Sequence, residues 1–208
     1  MSKMFLDPEK PLFTCSSTHC KGCPVRNSLE CHFTGKNLFR FLLIALPPFI
    51  VGGIGIGRVN AWLLIPWIAF CFSYFGLIEI RVMCSHCPHY AEPGTKSLQC
   101  WANYGSPKLW EYRPGPMTRG ENIIFFAGLV LIAGYPLPFL LIASQWLLLA
   151  MFVALVIVMG GAMRKRMCSR CMNFACPLNC VEPAVRAQFF ACNPVVDQAW
   201  KEYSRVNK

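Results

Sequence analysis

Met83-Cys84-Ser85-His86-Cys87 and its echo Met167-Cys168-Ser169-Arg170-Cys171 decide how this chain is read. Each stands just beyond a long apolar run, where a membrane span would meet water. The copies are 84 residues apart, and Trp62-Leu63-Leu64 recurs at the same interval as Trp146-Leu147-Leu148. Thr34 with Thr118, Phe41 with Phe125 and Gly76 with Gly160 align without a gap. Shared Leu or Phe means little between two apolar segments, but chance rarely supplies a repeated Met-Cys-Ser-x-Cys. The pattern predicts a duplicated unit: a two-helix hairpin that ends in Cys-x-x-Cys at the membrane surface.

Composition supports spans over a soluble core. Mean hydropathy is +0.41, with 55% hydrophobic and only 14% charged residues. Apolar residues gather in two blocks, 38–82 and 122–163. A bilayer core of roughly 30 Å takes about 20 apolar residues per helix, so each block holds two spans. They read as about 38–57, 61–82, 122–143 and 145–163. A buried soluble helical core would need polar outer faces, and none is visible. The fold class expected is an all-α membrane protein of four transmembrane helices.

Basic residues set the orientation. Six Lys or Arg lie up to Arg40, five in the central loop and its flank, and eight from Arg164 onward. The short hairpin turns carry only Arg58. Both termini and the central loop are therefore expected in the cytoplasm. The net charge of +10 then reflects topology and attraction to lipid headgroups, and no basic domain with interleaved aromatics points to nucleic acid. Charges, cysteines and prolines precede the first apolar run, the wrong order for a cleavable signal peptide.

The chain divides into a Cys-rich cap (1–37), a first hairpin (38–82), a loop (83–121), a second hairpin (122–163) and a Cys-rich tail (164–208). Pro47-Pro48 and the glycines from Gly52 to Gly57 predict a bend and close helix packing in the first span. Pro136 and Pro138 predict a bend in the third. Glu79 and Arg81 are expected to snorkel or to pair with each other. The loop is too long for a plain connector and is expected to be folded, with Tyr104, Trp110 and Tyr112 as interfacial anchors. The tail from Val185 reads as an amphipathic surface helix.

Thirteen cysteines facing a reducing cytosol point to metal or cluster ligation rather than disulfides. The cap offers Cys15, Cys20, Cys23 and Cys31, whose opening C-x4-C-x2-C matches the plant-type [2Fe–2S] spacing locally. Cys84 and Cys87 with Cys168 and Cys171 would meet if the hairpins pack about an axis along the membrane normal. Two such knuckles form a four-thiolate site for zinc or iron. Cys176 and Cys180 are a third group, which Cys100 and Cys192 are candidates to complete. Cys71, among aromatics in the second span, reads as a core residue. His19, His32, His86 and His89 lie beside cysteines and none lies within a span, which argues against bis-histidine haem.

The layout of four spans with cysteine clusters at span exits and in the tail is similar to the NapH-type membrane iron–sulfur proteins. The nearest motif matches are Cys20-x2-Cys23-Pro24, Cys84-x2-Cys87-Pro88 and Cys171-x4-Cys176-Pro177, while that family's paired C-x3-C-P motifs are not reproduced. The resemblance implies electron exchange with quinones. Three functions are expected in competition. One is an iron–sulfur carrier between a cytosolic donor and a quinone, a membrane partner or complex subunits. A zinc-stabilised scaffold or assembly factor is the second, and a thiol oxidoreductase the third. No Ser-His-Asp set, phosphate-binding loop or paired carboxylates support hydrolase or kinase chemistry.

Overall fold

A computed structural model describes residues 10–206; the first nine residues of the cap and the last two of the tail lie outside it. It is all-helical, and among the described residues no strand forms beyond an isolated bridge between Ser97 and Pro107. Four helical stretches are long and apolar enough to cross a membrane: Gly35–Val59, Ala61–His86, Arg119–Ile142 and Trp146–Arg170. At 1.5 Å per residue their 24 to 26 residues reach about 36–39 Å, enough for a hydrocarbon core of roughly 30 Å.

Each span is built differently. Helix α1, Gly35–Val59, runs unbroken through Pro47 and Pro48. The second span begins with a 3-10 turn whose Trp62 N–H is accepted by the Asn60 side chain at 3.0 Å. It continues as α2, Leu64–Ser73, a π turn at Tyr74–Ile78, and α3, Glu79–Val82. The third is α4, Arg119–Gly134, then α5, Pro136–Ile142, divided at Tyr135 because Pro136 has no N–H to give. The fourth is α6, Trp146–Arg166.

Close contact between spans is made by small residues and by side chains that reach neighbouring backbones. Span 1 packs most extensively on span 4 and on α5, and span 2 lies along span 3. Gly52 lets Phe152 and Pro136 approach, since a Cβ there would stand 3.0 Å from the Phe152 ring. Trp67 Nε1 donates to the Ile132 carbonyl at 3.0 Å and Tyr74 Oη to that of Phe125 at 2.6 Å. Tyr135 Oη donates to the Leu63 carbonyl at 3.0 Å. Such bonds matter most in hydrocarbon, where no water can serve instead. Trp62, Phe72, Leu147 and Ile157 are exposed, as lipid contact requires.

Cap, central loop and tail pack together as one head. Leu12, Val25 and Leu29 of the cap are buried with Cys87 of the loop and Met172, Phe174 and Phe189 of the tail. Polar bonds pin the same three segments. Phe13 N–H donates to Glu92 Oε1 at 2.7 Å, and Thr14 Oγ1 donates to Asn193 Oδ1 at 2.8 Å. Arg170 pairs with Glu30 at 3.3 Å. The tail is two helices, α7 (Pro183–Cys192) and α8 (Pro194–Val206), because Pro194 keeps Asn193 out of helical conformation.

Head and spans are joined by a polar brace. Arg113 donates to the Arg81 carbonyl at 2.7 Å and to Ser85 Oγ at 3.0 Å, serving groups at the end of span 2. The same guanidinium pairs with Glu121 at 2.6 Å. Glu121 also completes a capping box with Thr118 at the start of α4. Arg81 reaches Glu121 at 3.6 Å rather than Glu79. The expected Glu79–Arg81 pairing is thus replaced by a contact 40 residues away in sequence.

Candidate metal centre

The echoed motif folds the same way twice. Each Cys-Ser-x segment, Cys84–His86 and Cys168–Arg170, is a 3-10 turn entered through Met83 or Met167. The two methionines have φ/ψ of −122/−53 and −117/−51, and both following Cys87 and Cys171 are extended. Ser85 Oγ donates to the Arg81 carbonyl at 2.7 Å, and Ser169 Oγ to that of Lys165 at 2.9 Å. Each serine thus closes the last turn of its span by the same bond four residues back. The Asn173 side chain then donates to the Met83 carbonyl at 3.2 Å, linking the second copy's tail to the first copy.

No disulfide joins any of the thirteen cysteines; Cys71 stands alone in α2, and the other twelve thiols gather in two crowds. The first lies in the cap. A cavity of about 30 Å³ is walled by Cys15, Cys20, Cys23, Cys31, His32 and Cys192, with Leu12, Val25 and Phe189 as its apolar lining. His32 Nε2 lies 2.9 Å from the Lys10 carbonyl, which makes that nitrogen a donor, and 4.0 Å from the Cys20 sulfur. Burial pushes the Cys31 thiol up to about 12, reinforced by Cys23, Cys20 and Cys15. Cys192 is raised as well, by burial and then by Cys23 and Cys15. The structure therefore places Cys192 in the cap group, not beside Cys176 and Cys180.

The second crowd lies where loop and tail meet the spans. Burial lifts Cys171 well above the ordinary thiol range, with Cys87, Cys100 and Cys176 adding to the shift. Cys87 is raised by burial and then by Cys100, and Cys100 by burial. Cys84 lies within electrostatic reach of Glu79, Cys100 and Cys87. Cys176 is pushed up to about 12 by burial, with Cys168 and Glu79 nearby. Cys180 folds back on Cys168, its N–H donating to the Cys168 carbonyl at 3.3 Å and its sulfur to the Arg164 carbonyl at 3.1 Å. Cys84, Cys87 and Cys171 are thus brought together with Cys100, while Cys168 keeps company with Cys180 and Cys176.

Such crowding makes each thiolate costly beside its neighbours, and a cation at the centre reverses that cost because coordinating thiols are deprotonated. Among the described residues, no three His, Cys, Asp or Glu side chains converge tightly enough to enclose a single metal ion. Four sulfurs around one zinc ion stand about 4 Å apart. A cluster spreads its thiolates over several irons and takes a wider set.

Two residues escaped the sequence reading. Glu79, expected to snorkel or to pair with Arg81, is buried at the end of span 2, one turn before Cys84, whose sulfur accepts from Asn103 Nδ2 at 3.2 Å. No local signal marks that burial. Glu121 was readable from Thr118-x-x-Glu121 ahead of an apolar run. Of the three aromatics expected at the interface, Tyr104 is exposed, while Trp110 and Tyr112 are partly buried against the core of the loop. Tyr104 stacks on Phe33 at 4.4 Å, the Trp110 backbone N–H donates to Tyr90 Oη at 2.7 Å, and Tyr112 lines the Ile80–Cys84–Tyr90–Leu98 cluster.

No family model, curated protein or solved structure matches this chain. The class that the fold and site define is that of a four-span helical protein with a cysteine-rich head.

Proposed function

We propose that this is an integral membrane iron–sulfur protein that relays electrons between a cytosolic donor and a quinone or membrane partner subunit. The observation that carries the reading is the gathering of thiols, Cys84 and Cys87 buried and the others half-buried, into two crowds in one head set directly on the spans. Cys15, Cys20, Cys23 and Cys31 hold the first group, with Cys192 at its wall. The second is held from among Cys84, Cys87, Cys168, Cys171, Cys176 and Cys180, with Cys100 as a further candidate. The groups bound there would accept and release single electrons.

The residues of the chain have separable tasks. The two Met-Cys-Ser-x-Cys turns present ligands at equivalent span ends, as expected of duplicated hairpins. Leu12, Val25 and Phe189 line the cap group with apolar surface, which bears on its potential. The basic residues at the span ends keep both termini, the loop and the thiols in the cytoplasm.

A zinc-stabilised scaffold is the second reading, favoured by the approach of one Cys-x-x-Cys to the other at Cys87 and Cys171. The thiol-oxidoreductase reading is weakest, because raised, buried thiols make poor nucleophiles. EPR of anaerobically purified protein before and after dithionite separates the three. Signals of reduced clusters are expected; a silent spectrum with stoichiometric zinc would transfer the function to scaffolding. Metal-free protein active in thiol exchange would favour the third reading.

A further inference from the structure

The tail carries a basic groove that neither thiol group uses. Helices α7 and α8 meet at a corner held by buried Asn193. Its Nδ2 donates to the Phe189 carbonyl at 2.8 Å, and its Oδ1 accepts from Thr14 Oγ1 at 2.8 Å. The two helices border an open groove of about 510 Å³, whose lining includes Arg186, Phe190, Asp197, Trp200, Lys201 and Arg205. None of these residues walls the cap cavity.

Arg186 is the fixed cation of the groove. Its guanidinium lies 4.1 Å from the centroid of the Trp200 ring, 5.1 Å from that of Phe190 and 5.6 Å from that of Phe174. The Phe190 and Trp200 rings themselves stand 5.6 Å apart. Stacking of this kind holds the plane of a long side chain while leaving the N–H groups along its edge free to donate. Among the described residues, no carboxylate pairs with Arg186 or Arg205. The one acid lining the groove, Asp197, is taken by Lys201 one turn along α8. Three cations against one carboxylate leave a net positive charge beside low-dielectric rings, a setting that concentrates anions. A carboxylate ligand brings two oxygens and one charge. A phosphate brings at least three oxygens and up to two charges, which suits an arginine fork backed by two further cations.

The geometry points to this groove as a binding site for a phosphate group, with Arg186 as the bidentate anchor and Arg205 and Lys201 supplying further charge. Phe190 and Trp200 offer apolar surface to the remainder of a phosphate ester. Two sources share this chemistry: the headgroup of an anionic phospholipid, since the head is set on the spans, and a soluble phosphate. The site goes beyond the iron–sulfur reading and needs no metal.

The test is calorimetric titration of the full-length protein, held in phosphatidylcholine nanodiscs, with inorganic phosphate. Wild type should bind one phosphate per chain. Arg186→Gln should weaken binding at least about tenfold, the worth of a hydrogen bond to a charged group. Arg186→Lys keeps the charge but loses the fork, and should fall between the two. Exposed Arg205→Gln should weaken binding about threefold. Lys96→Gln, which removes an exposed charge in the central loop, should bind as wild type. Nanodiscs containing phosphatidic acid, beside nanodiscs with oleate at equal charge, separate the sources. Weaker phosphate binding with phosphatidic acid than with oleate assigns the groove to lipid headgroups, and equal binding assigns it to soluble phosphates. No saturable binding, or equal losses in Lys96→Gln and Arg205→Gln, would overturn the proposal. Should Arg186→Gln fail to accumulate, Arg205→Gln decides: binding as tight as wild type refutes the site.

Discussion

Gly128→Ala tests the packing of span 2 on span 3. Gly128 lies on α4 directly beneath the Tyr74 ring, and a Cβ there would fall inside that ring. The ring has little room to withdraw. Tyr74 is 1% exposed, its hydroxyl is bonded to Phe125 at 2.6 Å, and its own residue opens the π turn. Forced overpacking of this kind costs about 1–3 kcal/mol. For a chain of this length, 1 kcal/mol is about 2–4 °C, so the melting temperature in detergent should fall by about 2–12 °C. Gly134→Ala is the control, since nothing lies within 4 Å of its added Cβ; it should melt as wild type or slightly above. Adding Tyr74→Leu to Gly128→Ala should relieve the clash, so that the double variant is less destabilised than the two singles together. A Gly128→Ala protein that melts with wild type, or strict additivity in the double, would refute the packing argument.

Arg113→Ala should destabilise the junction of head and spans by about 1–2 kcal/mol, since Arg113 is partly solvated but its loss frees the Arg81 carbonyl and leaves Glu121 only its Thr118 cap and the longer contact to Arg81; thermal melts check this, with Glu121→Gln milder. Burial pushes the pKa of His89 down to about 3 from 6.5, so below pH about 6.5 the unfolded chain binds a proton that the folded one refuses. Its contribution is complete above that pH and declines by about 1.4 kcal/mol per unit down to pH about 3, and His89→Gln should flatten the slope of stability against pH. Cys20→Ser should lower the iron bound per chain while leaving the signal of the second group, as EPR with iron analysis would show. A fluorescent-protein fusion after Lys208 should glow and a phosphatase fusion there should be inactive; the reverse would invert the topology.

Spans were legible because apolar composition alone marks them: residues 38–82 and 122–163 could be divided by length without tertiary knowledge. Proline effects were only partly so. Pro136 ends α4, whereas Pro47 and Pro48 sit inside an unbroken α1, because neighbouring packing decides whether a lost hydrogen bond interrupts a helix. Cys-x-x-Cys turns were legible as repeats, and they share one geometry down to the bonds of Ser85 and Ser169. Cys192 and Cys100 were not assignable, because their neighbours, Cys15 and Cys23 in one case and Cys87 and Cys171 in the other, are set by how cap and tail pack. Glu79 was misread for a related reason. Its burial follows the π turn at Tyr74–Ile78, which leaves no periodic trace.

Iron and acid-labile sulfide, measured per chain on anaerobically purified protein beside its visible spectrum, test the central claim most directly. The account predicts iron and sulfide in similar amounts, and a broad charge-transfer absorbance that bleaches on reduction. Stoichiometric zinc without sulfide, or protein free of metal and colourless, would contradict it.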